Sequence, residues 1–189
     1  MKLALPAVIA LLLAGCAGTQ RETTQPNPRT VQRLASVSVD PAEAVRILNA
    51  HRAGRGLGPV SLDPTLTAMA QSQSDAMARA DSLSHSVGGS FGSRVHAAGL
   101  DAGYSAENLG AGYFSTQEAF DGWKKSTGHA ANLVMPQVTR IGIALAKNPQ
   151  TRYGAWWTLV LAGEAAPRRE LSTGPLAPAG GRTTFRWGS

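Results

Sequence analysis

Residues 140–162 read RIGIALAKNPQTRYGAWWTLVLA, and this stretch decides the fold. From 140 to 146 the chain is rich in β-formers, with Ile141, Ile143 and Leu145 on one face. Small Gly142 and Ala144 occupy the other face, so a helix could pack closely there. From 155 to 162 both faces are apolar: Trp156 and Val160 on one, Trp157, Leu159 and Leu161 on the other. A strand that is apolar on both sides is buried on both sides. Asn148, Pro149 and Gln150 lie in the connection and predict an antiparallel hairpin.

The cover for such a sheet lies upstream, where helix signals dominate. Asp40-Pro41-Ala42-Glu43 combines an N-cap, a proline at the first helical position and a Glu three residues after the cap. Ala44, Ile47, Leu48 and His51 follow at helical spacing, and Gly54 predicts the end. Asp63-Pro64 opens a second helix in the same way, with Leu66, Met69, Ala70, Gln73 and Met77 along one face. Residues 90–98 predict a short third helix closed by Gly99. Ser115-Thr116-Gln117-Glu118 is a capping box that leads a fourth, with Phe120 and Trp123 inward, and Thr127 caps one more turn. Helices on both faces of a small, mainly antiparallel sheet make an α+β, three-layer α-β-α sandwich.

The chain begins with a different kind of segment. Lys2 precedes an apolar run over residues 3–14, broken only by Pro6 and ending in Leu13-Ala14-Gly15-Cys16. A dozen apolar residues are too few for a membrane span, which needs about 20. They suit the core of a signal peptide with a small-residue cleavage site, so residues 1–15 are read as a signal peptide. The Leu-Ala-Gly-Cys tail resembles the bacterial lipobox, in which the cysteine is acylated and becomes the first mature residue. Cys16 is the sole cysteine and is read as the lipidation site, the alternative being ordinary secretion with Cys16 uninvolved. The resemblance implies several acyl chains on Cys16, hence a stable membrane anchor, since one chain alone holds only marginally. Ala17, rather than an Asp, follows the cysteine, and by resemblance to Gram-negative sorting rules this leans towards the outer membrane facing the periplasm.

Residues 16–39, rich in Thr, Gln, Pro and Ser, are read as the lipidated cysteine and a flexible tether. Residues 40–166 form the folded domain, and 167–189 a flexible C-terminal tail whose Phe185 and Trp187 have no evident role. The net charge of +6 suggests nucleic acid at first sight. The domain itself carries ten Lys/Arg and ten Asp/Glu, and the excess lies in the flanks. A nucleic-acid domain concentrates positive charge on its folded face, so no nucleic-acid partner is expected. The basic flanks are either solvated or lie near anionic lipid or polymer.

Three residues stand out for chemistry: His85 in Ser84-His85-Ser86, Glu107 in Glu107-Asn108 after a turn-rich segment, and His129 in a run from Trp123 to Asn132. His129 and Asn132 are three apart and share a helix face. With these segments the sequence resembles the CAP superfamily, which unites cysteine-rich secretory proteins, antigen 5 and pathogenesis-related 1 proteins. The matching segments run in family order: Leu48-Asn49 with Arg52; Asp75-Ala76-Met77; Ser84-His85-Ser86; Arg94 with Ala97-Ala98-Gly99; Ala106-Glu107-Asn108; Trp123 with Ser126, Gly128-His129 and Asn132; residues 140–143; and Trp157-Thr158. The resemblance implies an α-β-α sandwich and a cleft lined by His85, Glu107, Asn108, His129 and Asn132. It also implies a second acid, for which the sequence offers only Asp101, out of place in a turn.

Three uses of this cleft stay open. His85 and His129, with Glu107 as a third ligand, could hold a divalent metal such as zinc. Glu107 could instead orient an imidazole by hydrogen bond. The group could also be a purely structural network, since buried polar groups must be paired. No Ser or Cys nucleophile is paired with a base in any known motif, so the sequence favours binding over catalysis. The expected ligand is a lipid, a small apolar molecule or a cell-wall component, the lipid-binding members of the superfamily being the guide. A metal-dependent hydrolase acting on envelope peptides or peptidoglycan is the alternative.

Overall fold

The computed structural model describes residues 26–100 and 104–163. The signal peptide, Cys16, Asp101 and the C-terminal tail with Phe185 and Trp187 lie outside the described residues. Within them the order is α1 (Pro28–Ser36), α2 (Pro41–Ala53), β1 (Ser61–Leu62), α3 (Pro64–Ala80), α4 (Phe91–Ala97), β2 (Tyr104–Ala111), α5 (Thr116–Lys125), α6 (Thr127–Leu133), β3 (Val138–Lys147) and β4 (Ala155–Gly163). None of these helices is long and apolar enough to cross a membrane.

Local chemistry sets the helix starts. Asp40 Oδ1 accepts from the Glu43 amide at 3.0 Å, and Asp63 Oδ1 from the Leu66 amide at 2.9 Å. Asp63 also takes Arg140 Nη1 of β3 at 2.8 Å, which ties the start of α3 to the sheet. Ser115 Oγ accepts from the Glu118 amide as a capping box requires. Glu118 departs from the box, however, and accepts from the Phe114 amide instead.

The sheet order is β1-β3-β4-β2, with β1 parallel to β3 and the other pairs antiparallel. β4 is buried along its whole length. On one face Leu66, Met69, Ala70 and Met77 of α3 meet Ala144, Ala146, Trp156 and Val160, and α4 extends this layer. On the other, Leu48, Phe120, Trp123 and Leu133 of α2, α5 and α6 meet Ile141, Ile143, Trp157, Leu159 and Leu161. The expected three-layer α-β-α sandwich is therefore the observed fold. Gly142 is where α3 lies directly on the sheet: a Cβ there would sit 2.1 Å from Leu66 C and Thr67 N.

Three elements depart from expectation. Of the segment read as turn-rich before Glu107, Leu100 to Ala106, residues 104–106 belong to strand β2, whose Ser, Glu, Asn and Gly are poor β-formers. Its pairing with β4 from Tyr104↔Gly163 to Ala111↔Trp156 supplies what local preference does not. The short β1 has no period to reveal it. The third departure corrects the tether, because residues 28–36 are helical. Leu34 and Val37 enter the core at 4% and 3% exposure, and Lys147 Nζ donates to both of their carbonyls at 3.0 and 2.9 Å. Arg33 lies 3.6 Å over the Phe114 ring. Within α1 only Leu34 is buried, so there is little apolar stripe to read; its local signal is Asn27-Pro28, an N-cap followed by a proline at the first helical position, with Asn27 Oδ1 accepting from the Arg29 amide.

Candidate functional site

β2 is an edge strand, and the site is built across it. Successive side chains of a strand point to opposite faces. Glu107 accordingly faces the layer of α3 and α4, while Asn108 faces α6. His85 arrives from the loop between α3 and α4, and His129 from the first turns of α6.

Glu107 is the hub on its side, with a side chain only 1% exposed. Its Oε1 accepts from His85 Nδ1 at 2.8 Å and from Arg94 Nη2 at 2.9 Å, and its Oε2 accepts from Arg94 Nη1 at 2.7 Å. This is the bidentate fork that a guanidinium offers a carboxylate. Arg94 has further work: Nη2 donates to His85 O at 3.1 Å and Nε to Gly89 O at 3.1 Å. One side chain of α4 thus fixes the carboxylate and the loop that carries His85. Gln73 of α3 holds the same loop, its Nε2 donating to Ser84 O at 2.7 Å. With Nδ1 turned to Glu107, His85 presents Nε2 outward from a ring that is 58% exposed.

On the other side Asn108 Nδ2 donates to His129 O at 3.1 Å, and Asn132 Nδ2 to Asn108 Oδ1 at 2.9 Å. Both asparagines pin α6 to β2, and so fix the backbone of His129. Burial first, and then the charge of His85, hold the His129 imidazole below its ordinary pKa. His129 is therefore neutral at neutral pH.

Beside this hub runs a groove of about 320 Å³ between α3 and α4, lined by Ala68, Met69, Gly88, Arg94, Ala97 and Ala98 among others. Its walls are mainly apolar, with Arg94 the one charged residue among those lining it.

The cysteine-rich secretory protein family, CAP, matches residues 45–161. The chain belongs to this CAP family. Its CAP domain is 27% identical over 144 residues to the YkwD protein of Bacillus subtilis, an alignment covering 75% of this chain and 54% of that protein. The chain thus spans about half the length of the curated relative it matches. An extracellular protein of Bacillus anthracis containing an SCP domain superposes with a TM-score of 0.57 at 22% identity, over 65% of this chain and 40% of that one. An outer surface protein of Borrelia burgdorferi superposes with a TM-score of 0.58 at 18% identity, over 67% of this chain and 97% of that one. The two solved relatives are an extracellular and an outer surface protein, and at such identities their likeness is one of fold.

The CAP fold gathers the expected residues His85, Glu107, Asn108, His129 and Asn132 along one strand edge. It does not fit Glu107 as a metal ligand. Each carboxylate oxygen already accepts from Arg94, so an ion on Glu107 would lie against a buried guanidinium of like charge. Among the described residues no group of three or more His, Cys, Asp or Glu is arranged to hold a metal ion. Two histidines fall short of the three protein ligands of an open zinc site. The hydrogen bond from His85 Nδ1 to Glu107 is the geometry of the second use left open for Glu107, that of orienting an imidazole.

Two residues matter more than the sequence reading gave them credit for. Arg94 and Arg52 stood there only as motif positions. Arg52 is fully buried with no carboxylate beside it; it donates to the carbonyls of Gly58, Leu133, Met135 and Val138. It thereby fixes the turn after α6, which carries His129. Neither role has a local signal, because every partner but Gly89 and Gly58 is distant in sequence or lies on another element.

Proposed function

We propose that this chain is an envelope lipoprotein whose CAP domain binds a lipid or another small apolar envelope component without chemical turnover. The observation that carries the reading is the groove between α3 and α4, a mainly apolar space of about 320 Å³ with Arg94 in its lining; the groove is lined by Arg94 rather than by the expected His85, Glu107 and His129. Ligand sites are mostly apolar, with a few placed polar groups, and range from about 300 to 1,000 Å³. The groove meets that description. Glu107, the carboxylate best placed to act as a base, is neutralised and screened by Arg94, which suits a binding site better than a reactive one.

The anchor is Cys16, acylated after removal of residues 1–15, and the expected location is the outer membrane facing the periplasm. The extracellular and outer-surface relatives support export. The test is native mass spectrometry of protein extracted from membranes of its own host, beside the Ala68→Trp variant. Ala68 is an exposed lining position, so a Trp there fills the groove without touching the core. A bound apolar molecule that is lost in Ala68→Trp is the expected result. Protein that carries no ligand and takes up none from a lipid mixture would sink the reading.

The metal-dependent hydrolase reading draws on one observation, the His85 ring held by Glu107 with Nε2 outward. It needs a further ligand or nucleophile that Glu107 does not supply. Turnover of a peptidoglycan or peptide substrate that disappears in His129→Ala would favour it over binding.

A further inference from the structure

The docking of α1 changes where the chain leaves the domain, and with it which face can meet a membrane. We propose that the end of the domain formed by α1 and the β3–β4 turn is a docking surface for an anionic phospholipid bilayer. The proposal rests on the lipoprotein reading for its setting, not for its chemistry.

The two segments form one continuous surface. Pro26, Asn27 and Thr30 line a shallow pocket together with Pro149, Gln150, Thr151 and Arg152. A Cβ on Gly154 would lie 2.9 Å from Leu34 Cδ1 and 3.2 Å from Thr30 Cγ2, so α1 sits directly on the turn. The end of α3 joins them, since Asn148 Nδ2 donates to Ala78 O and the Arg152 amide to Asp81 Oδ1.

The charge on this surface has one dominant sign. Arg29, Arg33 and Arg152 are all exposed on it, Arg79 lies in the last turn of α3, and Lys147 holds the end of α1. Against these five cations stand two exposed carboxylates bonded into this end, Asp81 and Glu118, so the basic side chains outnumber the acidic ones. Exposed among the arginines are Val31 at 44% and Tyr153 at 37%. An amphipathic ring beside cations is the composition found at the headgroup level of membranes.

Geometry brings the surface to the membrane. If residues 16–39 were all tether, their reach would be about 80 Å when fully extended. With the chain entering the domain at Pro26, only about ten residues separate it from Cys16, a reach of at most roughly 35 Å. The chain then pulls on the basic end itself. Surface attraction falls off within a Debye length of about 8 Å, so it acts only on the face that the short tether brings down.

The test uses the chain from residue 16 onward with Cys16→Ser, so that no acyl group contributes. It is sedimented with vesicles of phosphatidylcholine containing phosphatidylglycerol, and with phosphatidylcholine alone. Salt-sensitive binding to the anionic vesicles is expected. Arg29→Gln/Arg33→Gln/Arg152→Gln, folded by circular dichroism, should weaken it by at least about tenfold. Arg46→Gln/Arg55→Gln on and after α2 should leave it unchanged. Equal binding by the triple variant overturns the proposal, as does equal binding to phosphatidylcholine alone or an equal loss in the α2 variant. The mass of the native protein reports separately on Cys16. An unacylated cysteine would remove the anchor and leave the surface standing.

Discussion

The guanidinium of Arg94 and the carboxylate of Glu107 form a buried bidentate pair, with Nη1–Oε2 at 2.7 Å and Nη2–Oε1 at 2.9 Å. Side-chain exposure is 9% and 1%, so water screens the pair little. Breaking such a pair from one side leaves an uncompensated buried charge. Arg94→Met should therefore cost about 3–5 kcal/mol in urea unfolding. Arg94→Met/Glu107→Met should recover most of that loss, because removing both partners strands no charge. If the double variant is as unstable as the single, the pair is not the reason for the loss.

Arg52 stabilises differently, by satisfying four carbonyls rather than a charge. Arg52→Met leaves those acceptors buried and unpaired, and should cost at least about 3 kcal/mol. Arg52→Lys should rescue little, since an ammonium lacks the planar fork. Thermal melts of the two variants check this, and a lysine variant that melts like the parent chain would contradict it.

Gly142 and Gly128 make a matched pair. A Cβ on Gly142 meets backbone atoms of α3 at 2.1 Å, whereas one on Gly128 meets nothing within 4 Å. Gly142→Ala must push α3 off the sheet, at a cost well above the roughly 1–3 kcal/mol of ordinary overpacking, so little folded protein is expected. Gly128→Ala, within α6, should be neutral or stabilising by up to about 1 kcal/mol. Expression and melting temperature of both decide it.

The docked helix is tested by Leu34→Ala, which empties a buried side chain. A loss of about 2–3 kcal/mol is expected. A pure tether would lose nothing, and that outcome would return residues 28–36 to the linker.

The histidines give a pH dependence of definite sign. Burial, and secondarily His85, lowers the folded pKa of His129; burial, then Arg55 and Lys124, lowers that of His51. In both cases the unfolded chain binds a proton more readily than the folded one. Stability is therefore full above the unfolded value of about 6.5 and falls as the pH drops below it. Urea midpoints should decrease from about pH 7 to about pH 5, and His129→Gln should flatten the slope. A slope unchanged in His129→Gln and His51→Gln together would assign it to other groups.

Much of this protein was legible in the sequence because the relevant forces are local. Asp40, Asp63 and Ser115 announce helix starts, since a cap bonds to an amide three residues away. Residues 140–162 announce the sheet, since burial on both faces leaves an unbroken apolar record. His85, Glu107, Asn108, His129 and Asn132 could be singled out as a family pattern, but not assigned roles. Strand β2 left no such record, because β4 completes it from far along the chain; α1 left only its cap, Asn27-Pro28, while Lys147 docks it from a distance. The choice between Glu107 as ligand and Glu107 as orienter was likewise not in its neighbours. Arg94 makes that choice from another element, through a fork that exists only once α4 has docked beside β2. Sequence fixes what adjacent residues can do to one another; tertiary structure alone brings a distant charge to a buried carboxylate and decides what that carboxylate is free to bind.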